Sequence, residues 1–315
     1  MRSLVTGVSG FAGSHLADYL LTTAPDSEVW GCDFRGERQP YHPAELKILA
    51  ADLRDPEAVR TVLDQVQPDH IYHLAARASV GESWANPWEV LETNLRSQVN
   101  LFEAVLAARL QPRIVVLGSA EEYGRISAGE LPVRETCPLQ PDSPYGVSKV
   151  GQDLLGLQYY LSHHLPIIRL RPFNHIGPRQ SGQFVAPAFA SQIAAIEAGR
   201  QAPVMRVGNL EPRRDFTDVR DIVRAYALAL EHGEPGEVYN LGSGRSRSIR
   251  DVLDILLRFS KTPIQVETDP SRLRPTDTLD LVCDASKFRA CTGWEPRIPL
   301  EQSLRDLLDY ERARL

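Results

Sequence analysis

Cysteine is scarce in this 315-residue chain: four residues, Cys32, Cys137, Cys283 and Cys291, form no CxxC pair and no cysteine–histidine spacing suited to a metal. That scarcity argues against a disulfide framework and points to a reducing cytoplasm, with no metal site expected. Long apolar runs are missing as well. No stretch approaches the roughly 20 apolar residues needed to cross a bilayer, and the opening MRSLVTG lacks the basic start, apolar core and cleavage signal of a secretory leader. No membrane partner is expected. Positive charge is in deficit, with 35 Lys and Arg against 41 Asp and Glu for a formal net charge of −6. The overall field therefore attracts neither nucleic acid nor anionic membrane, and an anionic ligand must meet a local cluster of arginines. Internal repeats, low-complexity tracts and obvious flexible linkers are also lacking.

What is present suffices for a substantial core, since 43% of residues are hydrophobic. Short strand candidates SLVT, EVWGCD, KILAAD, HIYHLAA and RIVVLGS alternate with helical patterns around residues 12 to 23, 56 to 66 and 87 to 109. Such alternation implies parallel strands joined by helical crossovers, hence an α/β, doubly wound parallel (Rossmann) sheet covered on both faces. Asp55 and Pro56 suit the start of one of these helices. Beyond about residue 171 the pattern becomes irregular and richer in Pro, Gly and Arg, with helical stretches near 184 to 199, 218 to 232, 249 to 260 and 300 to 312. The expectation is a dinucleotide-binding domain over 1–171 and a smaller C-terminal substrate-binding lobe over 172–315, with segments exchanged between them.

The stretch VTGVSGFAGSHLADYL places Gly7, Gly10 and Gly13 at the turn from the first strand into the first helix. A phosphate approaches backbone only where no Cβ intrudes, and a helix N-terminus offers free N–H groups and a positive dipole end. Taken alone, the GxxGxxG spacing serves turns and close helix packing equally well. Asp33 ends the second strand about 20 residues further on, where a carboxylate accepts hydrogen bonds from an adenosine ribose; an isolated acid at a strand end is the plainer reading. Arg35 and Arg38 suit a 2′-phosphate that Asp33 repels, so NADPH and NADH both stay open. Asp52 and Leu53 follow the third strand at the adenine position, and HLAAR brings Leu74, Ala75 and Ala76 to the end of the fourth.

Tyr145 and Lys149 in SPYGVSK lie four residues apart and share one face of a helix beginning near Pro144. A phenol with a pKa near 10 is a poor acid at neutral pH, and a neighbouring ammonium lowers that value. YxxxK also arises wherever an aromatic packs on a lysine stem. Ser119, in VVLGSAEEYG just past the fifth strand, stands where ligands bind in open α/β sheets. Plainer roles are a turn serine for Ser119 and an exposed loop acid for Glu121.

Together, GxxGxxG, the acid after the second strand, Ser before EEYG, and YGVSK resemble the extended short-chain dehydrogenase/reductase family along nearly the whole chain. RPFNHIGPRQ, FVAPAFASQIAAIEAG, VGNLEPRRDFTDVRD and RLRPTD resemble its branch acting on GDP-mannose-derived sugars. The resemblance implies NADPH or NADH as cofactor, held by Gly7, Gly10, Phe11, Gly13, Asp33, Arg35, Asp52, Leu53, Leu74, Ala75, Ala76, Tyr145 and Lys149. It implies a GDP-linked deoxysugar as substrate: Tyr145 protonates the oxygen at C4, Lys149 lowers its pKa and holds the nicotinamide ribose, and Ser119 orients the keto oxygen. Asn174 would meet the sugar nucleotide, with Arg179, Arg214 and Arg274 at its diphosphate. The implied reaction is reduction of the 4-keto group of GDP-4-dehydro-6-deoxy-D-mannose to GDP-D-rhamnose. Glu121 matches the acid of relatives that remove water from GDP-mannose and keeps that reaction open; a noncatalytic sugar-nucleotide binder is the third reading. Apolar stripes near 94 to 109 and 145 to 161 suggest a homodimer through a helix bundle, although burial within one subunit accounts for them equally.

Overall fold

A computed structural model describes residues 1–270 and 280–315. Through its first half the chain alternates as expected: β1 (Arg2–Thr6), α1 (Phe11–Thr23), β2 (Glu28–Asp33), β3 (Lys47–Ala50), α2 (Pro56–Val66) and β4 (His70–His73). Two helices follow, the short α3 (Val80–Ala85), which the sequence pattern did not announce, and α4 (Pro87–Ala107). Then come β5 (Arg113–Leu117), α5 (Pro144–His163) and β6 (Ile167–Pro172). The remainder comprises β7 (His175–Ile176), α6 (Val185–Glu197), β8 (Val204–Val207), β9 (Arg213–Asp215), β10 (Thr217–Asp218), α7 (Val219–His232) and β11 (Val238–Leu241). It closes with β12 (Ser246–Ser248), α8 (Ile249–Arg258), β13 (Gln265–Thr268), β14 (Asp280–Leu281), α9 (Ser286–Thr292) and α10 (Leu300–Ala313).

Among the described residues, seven strands form one sheet in the order β11-β6-β5-β4-β1-β2-β3, with every neighbouring pair parallel. Both faces are covered, and the two-residue period of a strand decides which core each side chain enters. Ile114 and Val116 of β5 join Leu4, Ile71, Leu63, Phe102 and Val105 beneath α2 and α4. Val115 and Leu117 face the other way, joining Val5, Leu16, Ile168, Ile222 and Tyr226 beneath α1 and α7. That division explains why the strands read as continuous apolar runs.

The chain beyond Pro172 contributes to two cores. Strand β11 pairs with β6, and Tyr239, Phe288 and Trp294 enter the core under α1 and α7. A separate cluster packs α6, α8 and α10 through Phe189, Ile193, Val252, Leu256, Leu304 and Leu308. This second cluster forms a lobe beside the carboxyl ends of the strands, because β7 and the segment leading to α6 leave directly from β6.

Trp294 is fully enclosed, its Nε1 donating to Asp221 O at 2.9 Å and its ring edge-on to Phe288 at 5.8 Å. Trp294→Ala is expected to cost about 3–5 kcal/mol, seen as a lower denaturant midpoint with unchanged slope. A cost below about 1 kcal/mol would show that this late segment is not part of the sheet's core.

Candidate active site

Ser119, Tyr145 and Lys149 meet at the carboxyl end of β5. Ser143 caps α5 by accepting the Gly146 N–H at 3.0 Å, and Pro144 takes the first helical position, so the helix starts with Tyr145 turned inward. Lys149, one turn later, donates from Nζ to Leu117 O at 2.9 Å and to Gln152 Oε1 at 2.8 Å, and lies 5.8 Å from the Tyr145 ring centroid. Ser119 begins a 3-10 turn over Ala120–Glu122, its hydroxyl accepting the Glu121 N–H at 3.2 Å and sharing a side-chain hydrogen bond with Tyr145. Asn94 of α4 fixes the helix from the other side, donating to Ser148 Oγ at 2.9 Å while Ser148 donates to Tyr145 O at 2.7 Å.

The electrostatics depart from the sequence expectation. Lys149 was expected to lower the Tyr145 pKa. Instead, burial pushes the phenol well up, the Ser119 hydrogen bond opposes that only in part, and the charges of Glu121 and Glu122 push it further. The physical reason is enclosure: a phenolate would lose its hydration, and the ammonium beside it is itself spent on a carbonyl and an amide oxygen. Lys149 is lowered to about 8 by burial, with Glu122 opposing the fall. His73 nearby is driven down to about 3 by burial and then by Lys149, so it is neutral, and its Nδ1 is hydrogen-bonded to Thr6 Oγ1 at 3.0 Å. At neutral pH the site holds a protonated phenol beside an ammonium.

The glycine turn has the shape of an anion cradle. Gly7 has φ +69°, and a Cβ there would stand 2.9 Å from the backbone of Ala75; a Cβ on Gly13 would overlap Gly7 O. Gly10 precedes α1 with no side-chain cap, and no acid occupies the first turn, so the opening N–H groups remain available to an anion. Thr6 Oγ1 accepts the Ala75 N–H at 3.2 Å, joining the ends of β1 and β4, with Leu74 and Ala76 half-buried on either side. Phe11 stacks on His175 at 5.6 Å and ties the turn to the segment after β6.

At the far end, Asp33 Oδ1 accepts from Arg35 N at 3.0 Å and Gly36 N at 2.6 Å, which holds the carboxylate at the tip of β2. Arg35 extends from this turn into solvent. Arg38, expected near a 2′-phosphate, instead donates to Pro43 O at 2.6 Å and to Leu46 O at 2.5 Å, because the loop carbonyls need donors. Asp52 is clamped by the Arg54 fork at 2.7 and 3.0 Å, and buried Leu53 offers its carbonyl to Asn100 Nδ2 at 2.9 Å.

Asn174, Arg179 and Arg214, expected at the sugar nucleotide, lie on separate segments of the chain. Asn174 is half-buried beyond β6, its carbonyl accepting the Thr217 N–H at 3.0 Å. Arg214 lies on β9, with Nη1 donating to Arg213 O at 2.8 Å. Arg179 pairs with Asp18 of α1 at 2.7 Å and lies over the Tyr41 ring at 4.9 Å, and Tyr41 donates to Ser9 O at 3.0 Å. That position puts it against the glycine turn, drawn there by an acid the sequence pattern gave no reason to choose. Arg274 lies outside the described residues. A cleft of about 350 Å³ bordered by Phe216, Arg245, Arg247 and Arg297 includes none of Ser119, Tyr145 or Lys149. Sequence reading missed the buried charges Glu122, Asp153 and Arg171 directly behind Ser119; two adjacent glutamates read alike until one of them is enclosed.

Residues 4–307 match the family model described as GDP-mannose 4,6 dehydratase. The GDP-6-deoxy-D-mannose reductase of Pseudomonas aeruginosa is 34% identical over 311 residues, spanning 98% of this chain and 97% of that protein. GDP-mannose 4,6 dehydratase 1 of Arabidopsis thaliana is 28% identical, spanning 98% of this chain and 89% of that one. The solved structure of RMD from Pseudomonas aeruginosa complexed with NADPH aligns with a TM-score of 0.89 at 31% identity, covering both chains completely.

Gly10 separates cofactor binding from folding. Its backbone is extended at φ −73°, and an added Cβ would meet Gly7 O at 3.1 Å, a tight contact without strained dihedrals. Gly10→Ala is expected to change stability by less than about 1 kcal/mol while weakening nicotinamide dinucleotide binding at least roughly tenfold by calorimetry. Unchanged affinity would place the pyrophosphate elsewhere.

Proposed function

The chain belongs to the GDP-mannose 4,6 dehydratase family, within the extended short-chain dehydrogenases/reductases, and we propose that it reduces the 4-keto group of GDP-4-dehydro-6-deoxy-D-mannose to give GDP-D-rhamnose. NADPH or NADH binds across the glycine turn and, when bound, supplies the hydride. The 34% identity to a reductase over nearly the full length of both proteins supports the substrate class. The observation that carries the reading is geometric: Tyr145, which keeps its proton, stands with Ser119 and the Lys149 ammonium at the carboxyl end of β5.

In this reading Ser119 and Tyr145 receive the keto oxygen between them. Reduction turns that oxygen into an alkoxide, and Tyr145 gives it a proton. Lys149, fixed by Leu117 O and Gln152, places positive charge beside the phenolate left behind. Asp33 is set for the adenosine ribose and Asn174 for the sugar. Glu121 sustains a second reading, dehydration of GDP-mannose, because its charge reaches Tyr145 and that reaction needs a further acid/base group near the sugar.

We also propose a cytoplasmic homodimer. Among the described residues no helix is long and apolar enough to cross a membrane. Val147, Leu154 and Leu161 recur every seven residues along α5 and are exposed, with Trp84 near the end of α3 and Trp88 at the start of α4. A stripe of that period suits a partner helix.

Tyr145→Phe is expected to lower turnover of GDP-4-keto-6-deoxymannose with NADPH at least roughly 100-fold, leaving NADPH affinity near wild type; near-normal turnover would remove Tyr145 as the acid. Loss of reduced nicotinamide marks the reductase, whereas a keto sugar formed from GDP-mannose alone, abolished by Glu121→Gln, marks the dehydratase. Leu154→Glu is expected to convert a dimer to a monomer by light scattering at micromolar concentration. A wild-type monomer would sink the proposed assembly.

A further inference from the structure

Behind Ser119 lies a group of charges that water does not reach: Glu122, Asp153, Arg169, Arg171 and Lys149 are all buried. A buried ion pair is a weak source of net stability, because both ions surrender hydration. What it fixes is geometry. Glu122 Oε1 accepts the backbone N–H of Ser119 at 2.7 Å, and Oε2 lies 2.9 Å from Arg171 Nε. Arg171, arriving from β6, reaches Asp153 Oδ2 at 2.7 Å with Nη2 and Tyr123 OH at 3.0 Å with Nη1. Asp153 belongs to α5, two turns beyond Tyr145, and also receives Arg169 Nη1 at 3.0 Å. One continuous set of contacts thus runs from the serine's own backbone to the helix that carries Tyr145 and Lys149. Gly118 belongs to the arrangement, since a Cβ there would occupy the place of the Glu122 carboxylate.

We propose that Glu122 is a positioning residue: anchored by Arg171 and Asp153, its carboxylate holds the Ser119 turn in register with Tyr145 and supplies the negative charge that balances Lys149. The inference rests on the reductive reading above, in which those three side chains act together. Glu122 itself touches neither the phenol nor the space before it, and none of the roles assigned from the sequence includes it.

The groups facing this pair can be named from each side. Around Lys149 stand Glu122 from the 3-10 turn, neutral His73 from β4, Tyr145 and Gln152 from α5, and the Leu117 carbonyl from β5. Around Glu122 stand Asp153 and Lys149 from α5, Arg171 from β6 and the Ser119 N–H. Burial and the charge of Asp153 push the Glu122 carboxyl up, while Arg171, the Ser119 N–H and Lys149 pull it down. Burial lowers Lys149 to about 8 and Glu122 opposes that fall. Removing the Glu122 charge therefore lowers the Lys149 pKa further. The ammonium is then lost at a lower pH, and the alkaline limb of kcat/KM moves toward acid.

Two variants of the full chain separate the two tasks. Glu122→Gln keeps the reach to Ser119 and removes the charge; Glu122→Asp keeps the charge and falls short of Ser119. With NADPH and GDP-4-keto-6-deoxymannose, Glu122→Asp is expected to lower kcat roughly 10- to 100-fold with KM for both substrates within about threefold. In a Ser119→Ala background the same change is expected to cost less than about threefold more, because the effect runs through the serine. In ligand-free Glu122→Gln, the Lys149 midpoint followed by NMR of its Cε methylene is expected to fall by at least roughly half a pH unit. Full additivity with Ser119→Ala, or a Lys149 midpoint unmoved by Glu122→Gln, overturns the proposal. If the wild type turns over neither substrate, the reductive reading fails on its own, and the ligand-free titration still decides whether Glu122 balances Lys149.

Discussion

The enclosure of Tyr145 and Lys149 at the carboxyl end of β5 is the constraint on which the rest of the site depends. In water a phenol and an ammonium four residues apart on a helix exert little on each other, since each is screened by solvent. Buried, each responds to its own desolvation before it responds to the other: the phenol is pushed up and the ammonium falls to about 8. The pair is therefore poised by the surrounding protein more than by mutual attraction. Ser119 supplies a contact that eases a phenolate, so the hydroxyl has an electrostatic task in addition to meeting a carbonyl.

Keeping two such groups dry requires a rigid frame, and the fold builds it from several directions. The cap by Ser143 and the Asn94–Ser148 contact set the rotation of α5. Lys149 is pinned to the end of β5 through Leu117 O. The ion pairs of Arg169 and Arg171 with Asp153 lock the same helix to β6. Phe11 on His175 and Arg179 on Asp18 attach the glycine turn to the segment that leads into the lobe. The lobe thus begins at the glycine turn itself.

Much of this was legible in the sequence because its signals are local. The alternation of short apolar runs with amphipathic stretches specified a parallel sheet, and helix limits such as Pro56–Val66 follow from caps and proline within a few residues. GxxGxxG and YGVSK are likewise contiguous, so their geometry comes with the turn or the helix that contains them. Other features depend on partners far along the chain. Arg179 was read as a diphosphate ligand, and its pairing with Asp18 joins residues about 160 positions apart. Arg38 was read as suited to a 2′-phosphate, and loop carbonyls occupy it. Glu121 and Glu122 are neighbours in an acidic dipeptide, yet only Glu122 is fully enclosed, a distinction that β6 and α5 impose. The direction of the Tyr145 shift was misjudged for the same reason: charge can be counted in a sequence, whereas depth of burial cannot.

That direction bears on the choice between the two reactions in this family. Reduction of a keto sugar ends with a proton delivered to an alkoxide, and the group needed is a phenol that still has one. Dehydration of a GDP-hexose begins instead with oxidation at C4, for which the hydroxyl must lose a proton to a base, and the group needed is a phenolate. Burial disfavours the phenolate, and the negative charges of Glu121 and Glu122 disfavour it further. Of the charges that act on Tyr145, these two acids both favour the form that keeps its proton. A raised pKa also makes the phenol a weaker acid, so the ligand-free protein keeps the proton a reduction needs and releases it only to a stronger base, such as the alkoxide that hydride transfer creates. Glu121 adds to that hold on the proton through its charge.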